Sequence, residues 1–244
     1  MHISTLDGVP MTTERLDQDL EDRLRRLNEI GAALSLERDL HALLDRILLE
    51  ARRFTGADAG TLYLVRGTDL TFEVAQNDTL TLANESTDMP PVPLDEMSAS
   101  GYCAVTGETL NINNVYAEDT PLTFVGPRQY DAMTGYHTES MLVVPMRDHE
   151  DQITGVLQLL NAKEPSTGDI RAFPRADEAL VLSLASQAAV SVNNVRLIDD
   201  TERLFQSFVQ VMATAIDERS PYTGGHIRRV AEMTMHVAQG VNSC

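Results

Sequence analysis

The 244 residues contain no tryptophan, two cysteines and one lysine, Lys163. Cys103 and Cys244 offer neither a disulfide framework nor the paired spacing of a zinc site. That usage suits a reducing compartment. Basic residues are scarce: 19 stand against 37 acidic ones, a formal net charge of −18. A field of that sign repels nucleic acid and anionic membranes, so neither is an expected partner. A small anion remains compatible where backbone amides line a local pocket. No apolar run approaches the ~20 residues of a membrane span. Residues 1–13 lack the basic-then-apolar order of a signal peptide. A cytoplasmic protein is expected. Internal repeats and low-complexity tracts are also missing.

What is present is a 43% hydrophobic chain, sufficient for one or two domains. Residues 1–13 read as a frayed tail. Leu16, Leu20, Leu24, Leu27 and Leu34 then fall on one face of a helix. A second helix is predicted over 39–54, with Gly56 as its stop. Strands follow at 59–65 and 70–75, joined by a turn at Arg66, Gly67, Thr68 and Asp69. A loop at 84–93, a short helix at 98–106 and a short strand at 109–112 come next. The irregular stretch 113–135 is long for a connection in a compact domain, and such loops are often functional. Apolar strands are predicted at 140–146 and 153–160, then a loop at 161–174. No glycine or proline interrupts 175–220. An unbroken helix there exceeds one small domain and reads as a coiled-coil connector. Strands that include a hairpin, set among helices, predict an α/β or α+β fold with a mostly antiparallel sheet.

Three stretches together resemble a GAF domain: Gly101-Tyr102-Cys103-Ala104-Val105-Thr106-Gly107-Glu108, then Thr134-Gly135-Tyr136-His137-Thr138-Glu139-Ser140-Met141-Leu142, then Gly155-Val156-Leu157-Gln158-Leu159-Leu160-Asn161. The resemblance implies a sensory module with a central antiparallel sheet, flanking helices and a lid over 113–138, with a small molecule between sheet and lid. It points to Cys103, Asn113, Asn114, Phe124, Tyr130, Thr134, Tyr136 and Thr138 as ligand-binding candidates. Read singly, the Asn and Thr residues are as compatible with turns that bond their own backbone. Cys103 reads equally as a small buried hydrophobe.

Cyclic-nucleotide-binding members carry Asn-Lys and later Phe-x-x-x-Asp-Glu. Here Asn161, Ala162 and Lys163 are followed by Phe173, Asp177 and Glu178, with one residue inserted. The resemblance implies a brace behind the pocket, Lys163 pairing with Asp177, and cyclic AMP or cyclic GMP as ligand. Asp177 and Glu178 equally suit a helix N-terminus.

Residues 213–230 read Ala-Thr-Ala-Ile-Asp-Glu-Arg-Ser-Pro-Tyr-Thr-Gly-Gly-His-Ile-Arg-Arg-Val, which resembles the opening of an HD-GYP phosphohydrolase domain. That family hydrolyses cyclic dinucleotides at a metal cluster, and His226 matches one of its ligands. The chain has no His-Asp dipeptide. Divalent metals are therefore expected only with a complete HD-GYP domain, and no cofactor in this chain. The predicted organisation is a tail and leader helix at 1–26, a GAF domain at 27–199, and a connector with the start of an HD-GYP domain at 200–244. The expected role is a homodimeric sensor whose long terminal helices form the dimer bundle and signal to a downstream phosphodiesterase. A dimerisation module without ligand, or a phosphohydrolase in its own right, are the alternatives. Whether the chain is itself an enzyme is left open.

Overall fold

The computed structural model describes residues 5–6, 9–10, 39–80, 90–117, 124, 130–132, 134–219, 229–230 and 232–236, the side chains at 5–6, 9–10 and 216–219 excepted. The leucine stripe at 16–34, most of the predicted loop at 84–93, and His226 lie outside the described residues. The chain divides into two compact units, 1–193 and 194–244. Near its start a two-residue ladder joins Thr5–Leu6 to Val9–Pro10.

Helix α1, Leu40–Thr55, starts where the Asp39 carboxylate accepts the amides of His41 and Ala42 at 2.8 and 3.1 Å. It stops at Gly56, whose φ of 69° places it in the left-handed region that glycine adopts without a Cβ penalty. One face carries Leu43, Leu44, Ile47, Leu48 and Ala51, all buried. Strands β1, Ala57–Arg66, and β2, Asp69–Asn77, form the predicted hairpin. Strand β3, Val92–Pro93, adds to the outer edge of β2. Helix α2, Ala99–Thr106, is capped by the Ser98 hydroxyl, which accepts the Gly101 amide at 2.9 Å, and closes at Gly107. Then come β4, Leu110–Ile112, β5, Met141–Arg147, β6, Ile153–Lys163, and β7, Ile170–Arg171.

The strands form one antiparallel sheet ordered β3-β2-β1-β6-β5-β4, with β7 against the end of β6. Central strands β1, β5 and β6 are buried on both faces, which is why their sequences read as continuous apolar runs. Ala59, Tyr63, Met141, Val143, Val156 and Leu160 face the α2 side, in a cluster with Ala99, Cys103, Leu110 and Tyr136. The intervening residues, such as Leu62, Leu142 and Leu157, are fully buried on the other side. There Leu48 of α1 packs over Gly60.

The sheet is longer at one end than the sequence pattern indicates. The predicted loop at 161–174 begins inside β6, and Ala162↔Arg171 and Lys163↔Ile170 pair as a further ladder. Asn161 accommodates this by adopting a φ of 55°, a left-handed conformation that asparagine tolerates. β7 thus takes the place beside β6 that β5 leaves at Met141.

Helix α3, Arg175–Arg219, is continuous over 45 residues, about 68 Å at 1.5 Å per residue. Asp177 and Glu178 lie in its first turn, where they complement the helix dipole. Val181, Leu184, Ala185, Ala188, Ala189 and Val192 form its buried stripe. From Leu197 to Met212 its apolar side chains are exposed. None of the described helices is long and apolar enough to cross a membrane.

Gly155 sits where the sheet leaves no room for a side chain. A Cβ there would collide with the Tyr63 carbonyl oxygen and stand 3.2 Å from Met146 Sδ. Gly155→Ala is expected to lower the denaturation midpoint by the equivalent of about 1–3 kcal/mol, the usual cost of overpacking. Chemical denaturation of both proteins checks this; an unchanged midpoint contradicts the β1–β6 register.

Candidate functional site

Asp58 lies in the apolar run at the start of β1 and is 3% exposed. It sits opposite Asn161, between the paired positions Ala57↔Ala162 and Ala59↔Leu160. A carboxylate that deep must be paired or hydrogen-bonded. The Tyr136 hydroxyl donates to its Oδ2 at 2.8 Å, and the Thr79 hydroxyl to its Oδ1 at 2.9 Å. The Lys163 ammonium also meets Oδ1. The main chain of Asp58 is equally engaged: its carbonyl accepts Arg52 Nη2 at 2.7 Å and the Asp78 amide at 3.0 Å. Burial pushes the carboxyl's pKa up, but the hydrogen bonds from Lys163, Tyr136 and Thr79, with the lysine charge, outweigh it and hold the value below the ordinary range. The Tyr136 phenol is driven well above its usual value, by burial first and then by its bond to Asp58.

Asn161 completes this network. Its Nδ2 donates to the Tyr136 hydroxyl at 3.0 Å and to the His137 carbonyl at 2.7 Å, while its Oδ1 accepts the amides of Glu139 and Ser140 at 2.7 and 3.2 Å. Both donors and both lone pairs of the amide are used. The segment 136–140 is thereby fastened to the end of β6.

A second carboxylate ties this segment outward. Asp131 accepts the Thr138 amide and hydroxyl, both at 2.7 Å, and the Tyr116 hydroxyl at 2.6 Å. Tyr116 stacks on His137 with ring centroids 5.2 Å apart. Residues 130–132 and 134–138 thus run over the cluster on the α2 side, with Tyr130 edge-on to Tyr136 at 6.5 Å. Phe124 packs on the same cluster, 6.0 Å from Tyr102.

Beneath them the sheet presents a polar group in apolar surroundings. Gln158 Oε1 accepts the Tyr63 hydroxyl at 2.9 Å and the Ser100 hydroxyl at 3.3 Å. Its Nε2 meets Met141 Sδ at 3.5 Å, a weak acceptor. Burial raises the Tyr63 phenol far above its ordinary pKa. Cys103, fully buried in this cluster, is pushed up to about 12 by desolvation, against an opposing effect of Arg147. It is a packed thiol at neutral pH.

Residues 39–192 match the GAF domain family. The chain belongs to the GAF family. It is similar to the dual 3',5'-cyclic-AMP and -GMP phosphodiesterase 11A of Takifugu rubripes, at 25% identity over 88% of the chain. It is also similar to a cGMP-specific 3',5'-cyclic phosphodiesterase of Drosophila virilis, at 26% identity over 67% of the chain. The chain spans only 23% and 18% of those relatives' lengths. Among solved structures, the GAF domain of the Acinetobacter phosphoenolpyruvate-protein phosphotransferase aligns with a TM-score of 0.56 at 18% identity, over 73% of this chain and 97% of that one. At that identity the likeness speaks for the fold.

In this GAF domain the candidates separate into groups. Cys103, Phe124, Tyr130 and Tyr136 converge on the α2-side cluster. Thr138 is buried on Asp131. Thr134 donates to the Tyr130 carbonyl at 2.8 Å, and Asn114 accepts the Tyr116 amide at 2.8 Å; these bonds shape their own turns. Asn113 stands apart in an open cleft of about 680 Å3, with Asn111, Phe173, Arg175 and Glu178. The brace uses a different acid from the one expected. Lys163 directs its ammonium at Asp58 and Thr79, while Asp177 and Glu178 sit in the first turn of α3. The reason is the extended β6, which carries Lys163 to the start of β1. Among the described residues, no three His, Cys, Asp or Glu side chains gather as a metal site.

Sequence reasoning missed Asp58, Thr79, Gln158 and Asp131. Asp58 had a readable signal, a lone acid in a strand-like apolar run. The others depend on contacts between distant segments.

Tyr136→Phe is expected to destabilise by about 1.5–3 kcal/mol, the range for a hydrogen bond to a charged group. Asp58 also carries a pH signature. An unfolded aspartate titrates near ~3.9. Because its folded value is depressed, its contribution is complete above that point and disappears as pH falls through the folded value. The stability gap between wild type and Asp58→Asn should therefore be constant near neutrality and narrow below about pH 4. Denaturation series across pH measure it, and a gap that stays flat into strong acid refutes the assignment.

Proposed function

We propose that the chain is a regulatory sensor segment whose GAF domain takes a small cytosolic ligand between the sheet, α2 and residues 130–132 and 134–138. The observation that carries this is the Gln158–Tyr63–Ser100 group, a donor-and-acceptor floor set in an apolar cluster under aromatic side chains. A mostly apolar site with a few convergent polar groups is the usual form of a small-molecule pocket. A purine cyclic nucleotide fits this chemistry. Its base would stack against Phe124 and Tyr102 and be read by the Gln158 amide. Its phosphate would be met by backbone amides and hydroxyls, since Lys163 is committed to Asp58. Similarity to phosphodiesterases named for cyclic AMP and cyclic GMP supports the same class.

The output in this proposal runs through α3 as a homodimer. Ile198, Thr201, Phe205, Phe208, Met212 and Ala215 alternate at spacings of three and four, flanked by Leu197, Leu204 and Val211. Phe205 and Phe208 are 66% and 61% exposed. An apolar seam of that period on a solvent-facing helix fits pairing with a second copy. Its continuation into residues that resemble an HD-GYP opening makes a cyclic di-GMP phosphodiesterase domain the proposed effector. The His226 landmark lies outside the described residues. The close bonding of Asp131, Tyr136 and Thr138 favours a second reading, in which the unit only dimerises its effector.

Thermal unfolding with cyclic AMP, cyclic GMP, cyclic di-GMP and common metabolites tests the ligand. At ~100 times its dissociation constant a ligand stabilises by about 2.7 kcal/mol, a shift of a few degrees. One cyclic nucleotide is expected to act, and Gln158→Leu to weaken it about tenfold or more. No shift with any compound favours the dimerisation-only reading. Sedimentation of wild type should give a dimer, and of Phe208→Glu a monomer; a wild-type monomer rejects the output model.

A further inference from the structure

The β5–β6 hairpin has a tip, residues 147–152, that is braced internally and bonded outward on two sides. Asp148 Oδ1 accepts the amides of Glu150 and Gln152, both at 2.9 Å. The Asp148 amide donates to the Gln152 carbonyl at 3.0 Å, and Asp151 turns the chain with a φ of 61°. Arg147 Nη1 donates to Asp151 Oδ1 at 3.0 Å. The tip is thus a small rigid body and not a loose connection.

Its two outward bonds come from adjacent residues and reach different helices. Arg147 Nη2 donates to the carbonyl of Gly107 at 3.0 Å, the residue that closes α2. Glycine suits this position because its φ is +70°, and the Arg147 guanidinium lies where a Cβ would stand, so a side chain there would displace it. Asp148 Oδ2 accepts Asn193 Nδ2 of α3 at 2.7 Å. The Asp148 carboxyl is held below its ordinary pKa by the Gln152 backbone bond first, against a burial effect, with the Glu150 amide and Asn193 adding to it. It therefore stays an acceptor at neutral pH.

The two helices have separate settings. α2 contributes Ala99 and Cys103 to the α2-side cluster, in which α3 has no buried member. Asn193 is the last residue of the first compact unit. Beyond it, from Leu197, α3 carries its exposed apolar side chains. We propose that the hairpin tip is a mechanical link, coupling the position of α2 over the cluster to the position of α3 at Asn193. The meaning of this link rests on the sensor reading above. A ligand that shifts α2 would act on α3 through Gly107, Arg147, Asp148 and Asn193. Such a device works when the ligand binds the two positions of α2 with different affinity. By reciprocity a change imposed at α3 must be felt at α2.

That reciprocity gives a test that needs no ligand, so its failure is distinct from a failure of the sensor reading. Amide hydrogen exchange of the full chain is compared for wild type, Arg147→Ala and Asn193→Ala. Strand β1 serves as the reference for global unfolding. Asn193→Ala is expected to speed exchange in α2 roughly tenfold beyond any change in β1, although the Asn193 side chain is bonded to Asp148 of the tip. Arg147→Ala should likewise speed exchange in the turn of α3 around Asn193. Arg66→Ala, which removes an exposed pair with Glu73, should change neither helix. If each variant alters only the helix it was bonded to, or if both helices change no more than β1, the link does not exist.

Discussion

A buried carboxylate governs this molecule. Asp58 is placed inside the sheet by its position on a central strand, and the cost of an unpaired charge there is several kcal/mol. Everything that satisfies it comes from elsewhere in the chain: Thr79 from the end of β2, Tyr136 from the segment over the cluster, Lys163 from the end of β6. Three segments distant in sequence are drawn to one point because the alternative is a stranded charge. The pair is asymmetric, since the Asp58 side chain is 2% exposed and that of Lys163 39%. The lysine keeps part of its hydration while neutralising the acid, which limits the desolvation penalty.

The consequences reach the candidate site. Tyr136 is held at both ends of its chemistry, with its hydroxyl on Asp58 and Asn161 and its ring in the apolar cluster. Residues 136–140 therefore cannot leave the sheet without breaking a hydrogen bond to a buried charge. Asp131 then fixes the stretch before them to Thr138 and Tyr116. The segment is held from the sheet outward, residues 136–140 by the Asp58 carboxylate beneath them and the stretch before them by its own Asp131 carboxylate on Thr138. For the proposed ligand, such preorganisation would lower the ordering cost of binding.

The sequence made much of this legible, for identifiable reasons. Helix α1 carries its apolar face, its Asp39 cap and its Gly56 stop within seventeen residues of one another, all local signals. Strands β5 and β6 show as apolar runs because both faces are covered. The uninterrupted run that becomes α3 was readable from the absence of glycine and proline. The end of β6 was not, because Asn161, Ala162 and Lys163 resemble a polar loop; only pairing with Ile170 and Arg171 makes them a strand. That one extension also redirected Lys163. Motif resemblance named Asp177 as the partner of Lys163, whereas the ammonium meets Asp58, and no local pattern distinguishes one buried acid from another. Gln158 was hidden for the opposite reason: a polar residue on a central strand gains meaning only once Tyr63 and Ser100 are known to meet it.

In the proposed function a small molecule sits between Gln158, α2 and residues 130–132 and 134–138 while the Asp58–Tyr136 hub holds. A crystal structure of the chain grown with saturating cyclic GMP, and a second with cyclic AMP, tests it most directly. Ligand density is expected above Gln158, with a base edge within hydrogen-bond distance of its amide and the Tyr136 hydroxyl still on Asp58. Density elsewhere, such as the cleft beside Asn113 and Glu178, or a bound state in which Tyr136 has left Asp58, would contradict it.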